Sequence, residues 1–277
     1  MTQSNRPIII LGMHRSGTSL LAKLMTRMNI NMGKDINNHF ESGYFLRINE
    51  NILRIAHTYW DYPKNINFLI NEPKTYDNII QAINKQINSS QFRKHFLGKK
   101  NIFQKINSLE DFKWGWKEPR TTITFPLWTE IFPNAKFIYL YRNGIDVAAS
   151  LQKRELNRKG NINNKPYSLR CLDLERAFDV WEEYNNFFFE NSGIISNNNL
   201  LLISYEDLLS FPEKILNKIA SFINVNIKNQ EVNKFASEIN NKRACSFLHD
   251  KALMDFYERK KNTPLMIKLS YNNIKNS

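Results

Sequence analysis

Cysteine and histidine are scarce in this chain. Its 277 residues include two cysteines, Cys171 and Cys245, and five histidines. The cysteines form neither a Cys-x-x-Cys pair nor a metal-ligand cluster with the histidines, so neither a disulfide framework nor a zinc site is indicated. We therefore expect reduced, structural thiols and no bound metal.

Long hydrophobic runs are also missing. The first one, residues 7–11, is too short for a signal sequence or a membrane span before polar residues return. No other stretch reaches the roughly 18 apolar residues that a spanning helix needs. We expect a cytoplasmic protein without a membrane span.

Acidic residues are outnumbered, with 26 Asp and Glu against 39 Lys and Arg, which gives a formal net charge of +13. Such a surface attracts anions, among them nucleotides, acidic polysaccharides, nucleic acids and phospholipid head groups. The charge alone selects none of these partners. A bias that places lysines on solvated faces explains it equally well.

The order of apolar segments predicts an α/β fold. Continuous β-branched and aromatic runs predict buried parallel strands at residues 7–11, 112–117, 136–141 and 200–203. Helical patterns follow them, and two helix starts have the pattern of capping boxes, at Asn143–Asp146 and Ser204–Asp207. Alternating strands and helices imply a parallel sheet covered on both faces.

The length and the 42% hydrophobic content fit one domain over residues 1–277. We expect a core at about 7–225 and an insertion at about 32–105 that covers the site, with helices near 45–60 and 76–87. Further helices are expected around 127–132 and 169–189. The last region, 226–277, is expected to be helical, with a tail after Asn262 that is loose or weakly docked.

The segment from Gly12 to Ser19, Gly-Met-His-Arg-Ser-Gly-Thr-Ser, has the glycine spacing of a phosphate-binding loop, with Thr18 where a nucleoside-triphosphate binder has lysine. Backbone amides and the positive end of the next helix still favour an anion. Arg15 is the nearest replacement cation, and the strand at 136–141 ends in Arg142 rather than in an acidic residue for Mg²⁺.

A P-loop kinase or nucleoside triphosphatase is therefore an alternative that the glycines favour and Thr18 opposes. A non-catalytic polyanion-binding protein is another, favoured only by the charge.

Three segments occur in order along the chain: Arg-Ser-Gly-Thr-Ser at 15–19, Trp-Lys-Glu-Pro-Arg at 116–120 and Arg-Asn-Gly-Ile-Asp-Val-Ala-Ala-Ser at 142–150. Together with Glu-Ser-Gly-Tyr-Phe at 41–45, they make the chain resemble the P-loop-type sulfotransferases, in particular bacterial members and the carbohydrate and tyrosylprotein branches. The resemblance spans about residues 7–209. It implies a P-loop NTPase-like three-layer fold with a central parallel β-sheet flanked by helices.

The same resemblance implies metal-independent transfer of a sulfuryl group from 3'-phosphoadenosine 5'-phosphosulfate (PAPS) to a hydroxyl or amine, leaving adenosine 3',5'-bisphosphate (PAP), the activity of EC 2.8.2. Arg15 and Lys117 are then the catalytic cations of the in-line transition state. The donor-binding residues implied are Arg15, Ser16, Gly17, Thr18 and Ser19 for the 5'-phosphosulfate, and Arg142, Ser150, Arg154 and Tyr205 for the rest of the nucleotide.

A general base must take the proton of the acceptor hydroxyl. The resemblance makes Glu41 the first candidate, because it lies in the segment after the first helix, where related enzymes place acidic residues near the acceptor. Asp35, His39 and His14 are the alternatives. By analogy with the family the acceptor is a glycan, while small-molecule, lipid and peptide acceptors stay open. No nucleic acid partner is expected, and the sequence does not indicate an oligomeric state.

Overall fold

The computed structural model describes residues 6–97, 112–159, 167–239 and 241–274. At its centre, four parallel strands lie in the order β2-β1-β3-β4. They are β1 Ile8–Leu11, β2 Gly115–Lys117, β3 Lys136–Tyr141 and β4 Leu200–Ser204. The four predicted strands are confirmed, and Ile9 of β1 is paired with both Trp116 and Phe137.

Helices surround this sheet. Those in the described residues are α1 Thr18–Arg27, α2 Gly43–Ile55, α3 Ile66–Ile70, α4 Pro73–Ile87, α5 Ser90–Leu97, α6 Thr121–Ile131, α7 Gly144–Lys159, α8 Leu174–Asn191, α9 Tyr205–Ser210, α10 Pro212–Phe222, α11 Asn229–Ser237, α12 Lys251–Lys260 and α13 Pro264–Lys268.

The two faces of the sheet bury separate apolar clusters, because successive strand side chains point to opposite sides. Ile9 and Tyr139 belong to one cluster, which includes residues of α2, α4, α6, α7 and α8. Ile10 and Ile138 belong to the other, with residues of α1, α9, α10 and α11. This gives helix, sheet and helix layers, and the predicted α/β class with a flanked parallel sheet is confirmed.

Local capping explains where several helices start. The Ser204 hydroxyl accepts a hydrogen bond from the Asp207 amide at the start of α9, as predicted. The helix expected at 169–189 starts later, at Leu174, because Asp173 caps it by accepting from the Arg176 amide. The helix expected from 127 starts earlier, at Thr121, and continues through Pro126.

The tail after Asn262 is docked along residues 263–274 rather than loose. Leu265 and Met266 of α13 are buried, and the Tyr271 hydroxyl donates to the Glu206 carboxylate at 2.6 Å. Few residues of this short helix are buried, and the polar residues around them lower the average hydrophobicity of the segment. Residues 275–277 are outside the described part.

The predicted insertion contains α2 to α5, with residues 98–105 outside the described part. The Phe45 ring of α2 stacks on Trp116 of β2 at 3.7 Å, and the Asn49 amide donates to Glu118 at 2.7 Å. These contacts fix α2, and the turn that precedes it, beside the end of β2. Across the described residues, the structure contains no helix with the length and apolarity required to span a membrane.

Candidate active site

A cavity of about 530 Å³ lies where β1, β2, β3 and β4 end. It is lined by residues from the loop after β1, the turn before α2, the ends of β2 and β3, helix α7 and the carboxyl-terminal region: His14, Arg15, Gly17, Thr18, Ser19, Leu20, Asn37, His39, Glu41, Leu46, Glu50, Trp60, Lys117, Pro119, Arg120, Arg142, Ser150, Arg154, Tyr167, Tyr205 and Arg243. Parallel sheets bind ligands at this edge. Apart from Ser16, every donor-site residue predicted from the sequence reaches the cavity.

The loop after β1 bends sharply around two glycines. A Cβ on Gly12 would lie 2.4 Å from the Leu140 carbonyl oxygen, and one on Gly17 would lie 2.3 Å from the Tyr205 ring. Arg15, at φ 69°, and Gly17, at φ 92°, both have left-handed backbone conformations, a pattern typical of loops that turn their amides toward an anion. Ser16 is buried under this loop, with 1% of its surface exposed, and its amide donates to the Met13 carbonyl.

Arg15 connects the first and third sequence motifs. Its Nε donates to the Ser150 hydroxyl of α7 at 2.8 Å, and its carbonyl oxygen accepts from Arg142 Nη1 at 3.3 Å. Burial, together with the nearby Arg154, Arg142 and Arg243, lowers the pKa of Arg15. No described carboxylate forms an ion pair with Arg15, so this concentrated positive charge favours binding of an anion.

Arg142, at the end of β3, is held by several protein groups. Its guanidinium pairs with Asp146 at 3.0 Å, donates to the Arg243 carbonyl oxygen at 2.9 Å and lies 4.7 Å from the centre of the Tyr205 ring. Asp146 also accepts from the Ser246 hydroxyl at 2.8 Å. The capping box predicted at 143–146 is therefore wrong in part, because Asp146 anchors the carboxyl-terminal region and the Asn143 side chain alone caps α7.

Lys117 and Glu41 form a nearly buried ion pair in the cavity wall. Their Nζ and Oε1 atoms are 3.1 Å apart, with 2% and 16% of the side chains exposed. Burial lowers the pKa of Lys117 although Glu41 opposes the change. Burial alone would raise the pKa of Glu41, but the Lys117 charge and a hydrogen bond from Asn37 outweigh it, so the net pKa is lowered.

The turn that carries Glu41 is docked at two points. The Ser42 amide donates to the Lys117 carbonyl oxygen at 3.1 Å, and the Ser19 hydroxyl donates to the His39 carbonyl oxygen at 2.9 Å. The second contact uses the Ser19 hydroxyl within the protein, leaving the Ser19 amide as the group that faces an anion at the start of α1. The two contacts place the carboxylate beside Lys117.

The comparisons with known proteins agree with this geometry. A family model described as the sulfotransferase family matches residues 7–229. The chain belongs to the sulfotransferase family. No curated protein matches the sequence of this sulfotransferase.

Solved structures also resemble this sulfotransferase. The sulfotransferase domain from the curacin biosynthetic pathway has a TM-score of 0.51 and 18% identity, over 96% of this chain and 98% of that domain. The sulfotransferase domain of the Synechococcus PCC 7002 olefin synthase has a TM-score of 0.51 and 17% identity, over 99% and 98%. At these identities the likeness shows the fold.

The alternatives to Glu41 as a base are placed differently in this sulfotransferase. His14 packs edge-on against Trp60 at 4.7 Å, and its Nε2 is closed off from solvent without a hydrogen-bond partner among the described residues. Burial and the nearby Arg120, Arg154, Lys117 and Arg15 lower its pKa well below 6.5. His39 is exposed at the cavity. The carboxylate of Asp35 instead pairs with Arg47 and His95, both at 3.3 Å, and Asp35 is not brought to the cavity.

Two arginines of the cavity have no role in the sequence analysis. Arg120 pairs with the fully buried Glu118 at 2.7 Å and with Glu50 at 3.3 Å. Arg120 is the last residue of the Trp-Lys-Glu-Pro-Arg motif, so the motif could have identified it as a residue of the site. Arg243 comes from the carboxyl-terminal region, and only the anchoring by Asp146 brings it to the site. The sequence carried no local signal for that contact.

Arg154 lies at the outer edge of the cavity. It pairs with the buried Glu155 at 2.6 Å, and its guanidinium carbon is 5.0 Å from the centre of the Trp60 ring and 5.4 Å from that of Tyr167. The arginine therefore joins α7 to the segment around Trp60. It contributes positive charge close to Arg15, whose pKa it helps to lower.

Proposed function

We propose that this sulfotransferase uses PAPS as its donor and transfers the sulfuryl group to a hydroxyl of a glycan, in the cytoplasm and without a metal. The observation that carries the proposal is Arg15, which is bonded to Ser150, crowded by other arginines and without a carboxylate partner in the described part of the chain. A nucleotide with phosphate groups at two positions matches the positive charge that is distributed between the loop after β1 and the start of α7.

The described residues fit such a donor. Gly17, without a side chain, leaves room beside Tyr205, where an added Cβ would collide with the ring. The amides of Thr18 and Ser19 at the start of α1 face the 5' side. We assign Arg142 and Ser150 to the 3'-phosphate, and Arg154 and Tyr205 to the remainder of the nucleotide.

When bound, PAPS supplies a sulfuryl group on a phosphate leaving group. Arg15 is positioned to stabilise negative charge that develops between the loop and α7. Lys117 supplies a second positive charge from the end of β2, and its ammonium is shared with Glu41. Because Lys117 is nearly buried, the local dielectric constant is lower than that of water, which strengthens both its ion pair with Glu41 and its attraction to the developing negative charge.

We propose Glu41 as the general base. It lines the cavity and its pKa is lowered, so it is a carboxylate at neutral pH and can accept a proton at Oε1 or Oε2. His14 is the second candidate, but its Nε2 faces away from solvent. Asp35 is engaged elsewhere by Arg47 and His95.

The test is calorimetric titration of PAP into the wild type, with ATP and Mg²⁺ as the competing ligand pair. PAP is expected to bind more tightly than Mg²⁺-ATP, and Arg15→Gln is expected to weaken PAP binding about tenfold or more, because a charge-assisted contact is lost. Arg27→Gln, which removes a surface ion pair between the end of α1 and Glu238, is the matched control. Preference for Mg²⁺-ATP would instead support the kinase alternative, and equal binding by Arg15→Gln would remove the proposed donor site.

A further inference from the structure

An exposed apolar surface surrounds the outer edge of the cavity. Eleven large apolar side chains are exposed in the described part of the chain, and seven of them come from residues 55–68, 156–159 and 167–169. The most exposed are Phe68 at 77%, Leu169 at 76%, Tyr59 at 72% and Tyr167 at 60%. Single exposed apolar residues are ordinary, but such a concentration marks an interaction surface.

These seven side chains are called the apolar rim here: Ile55, Tyr59, Tyr62, Phe68, Leu156, Tyr167 and Leu169. Two arginines join the two parts of the rim. The guanidinium of Arg154 lies between the Trp60 and Tyr167 rings, at 5.0 and 5.4 Å. Arg170 lies 4.9 Å from the centre of the Tyr62 ring and donates to the Asp61 carbonyl oxygen at 2.6 Å. Because Trp60 and Tyr167 also line the cavity, the rim is continuous with the active site.

Exposed basic side chains outnumber exposed acidic ones around the rim. In residues 54–70 and 153–159 the exposed charged side chains are Arg54, Lys64, Lys153 and Lys159. Lys64 pairs with Glu183 at 3.2 Å, and Asp173 is exposed beyond Leu169. The two acidic residues of these ranges, Asp61 and Glu155, are 7% and 0% exposed. Exposed hydrocarbon and aromatic groups mixed with lysine and arginine are typical of proteins that lie on an anionic lipid surface.

We propose that the apolar rim docks this sulfotransferase on an anionic lipid bilayer, so that its acceptor is a saccharide head group presented at that surface. The acceptor part rests on the proposed function. Hydrocarbon side chains distinguish this partner from a soluble acidic glycan, because Phe68 and Leu169 carry no polar group that could hydrogen-bond to a sugar and have hydrocarbon to bury. The lysines add attraction to anionic head groups, which decreases as salt is raised.

Co-sedimentation with vesicles tests the docking. The full-length wild type is expected to sediment with phosphatidylcholine vesicles that contain about one third phosphatidylglycerol, and less with phosphatidylcholine alone. The triple variant Tyr59→Ser/Phe68→Ser/Leu169→Ser is expected to bind the anionic vesicles about tenfold more weakly or worse, since it lacks the hydrocarbon that the wild type buries in the bilayer. Lys153→Gln/Lys159→Gln is expected to lose part of the preference for anionic vesicles.

The matched control is Ile194→Ser/Phe211→Ser, which removes two exposed apolar side chains outside the rim and is expected to bind vesicles like the wild type. Equal vesicle binding by the wild type and the triple variant would overturn the proposal. So would retention on heparin without vesicle binding, which would indicate an acidic glycan, or a wild-type dimer that the triple variant loses.

PAP titration of the same variants separates this inference from the proposed function. The triple variant is expected to bind PAP like the wild type, because all three substituted side chains lie outside the cavity lining. If the wild type sediments with vesicles but binds no PAP, the donor assignment fails and the docking surface stands. If it binds PAP and ignores vesicles, the docking surface fails alone.

Discussion

Arg15 and Ser150 are 135 positions apart in the sequence, yet Arg15 Nε donates to the Ser150 hydroxyl at 2.8 Å. This bond joins the loop after β1 to helix α7, the two segments to which the sequence assigns the two phosphate groups of the donor. The orientation of the main cation therefore depends on a residue of the other half of the site. A change at Ser150 is expected to affect both halves.

Ser150→Ala is expected to lower PAP affinity about 3- to 10-fold, because one hydrogen bond to a charged group is lost and Arg15 is no longer oriented. Calorimetric titration measures it. Ser237→Ala removes a helical serine hydroxyl far from the cavity, bonded to the Lys234 carbonyl oxygen, and is expected to change nothing. Wild-type affinity in Ser150→Ala would show that the bond does not organise the donor site.

Gly17→Ala is expected to abolish PAP binding and to lower the free energy of unfolding by about 1–3 kcal/mol, the cost typical of local backbone strain. Gly17 has φ 92°, and an added Cβ would lie 2.3 Å from the Tyr205 ring. The measurement is thermal unfolding with and without PAP. Gly193→Ala is the control, since nothing lies within 4 Å of its added Cβ.

The sequence predicted most of the sheet and most of the residues that reach the cavity from the loop after β1 and from α7, because both signals are local. Residues 7–11 form a buried run followed by glycine-spaced polar residues, and Arg142 and Ser150 lie on one strand-turn-helix unit. Each of these signals sits within a few residues of the structure it specifies. The residues assigned to the donor then meet because parallel strands end at the same edge.

The contacts missed from the sequence depend on segments distant along the chain. The docked tail is held where Tyr271 meets Glu206, and the role of Asp146 becomes visible only with Ser246 beside it. The ion pair between Lys117 and Glu41 has the same origin, at a separation of 76 positions. Period and composition report local structure and burial, and they do not specify which distant side chain is the partner.

His14 is expected to make the protein less stable in acid. Burial and the surrounding arginines lower its pKa well below 6.5 in the fold, so the unfolded chain binds the proton more readily. Stability from this group is full above about pH 6.5 and is lost as the pH falls from there toward the folded pKa. Melting temperatures between about pH 5 and 8 should show a smaller acid-side loss in His14→Gln than in the wild type.

If the melting temperatures of the wild type and His14→Gln change in parallel with pH across this range, the result would contradict a lowered pKa at His14. The comparison uses the difference between the two proteins, so the titration of other groups cancels. His249→Gln, an exposed histidine away from the cavity, provides the matched control and is expected to follow the wild type. PAP is left out of the buffer, because bound phosphates would offset the arginine charges that act on His14.

Glu41→Gln is expected to lower kcat by about 10²- to 10⁴-fold while PAP affinity stays near that of the wild type, because a general base is lost. The assay follows radiolabelled sulfate from PAPS to a saccharide acceptor that the wild type uses, or its slow transfer to water. Glu50→Gln, which replaces another carboxylate of the cavity wall, is the control and should stay within about threefold of the wild type, since Glu50 is assigned no proton transfer.

Glu41→Gln removes both the proposed base and the ion-pair partner of Lys117. The double variant Glu41→Gln/Lys117→Met separates these two effects. If Glu41 acts only by holding Lys117, the single and double variants lose the same activity as Lys117→Met. If Glu41 is the base, Lys117→Met still turns over and the double variant has a lower kcat than Lys117→Met. A kcat for Glu41→Gln within about threefold of the wild type, together with a large loss in His14→Gln, would move the role to His14.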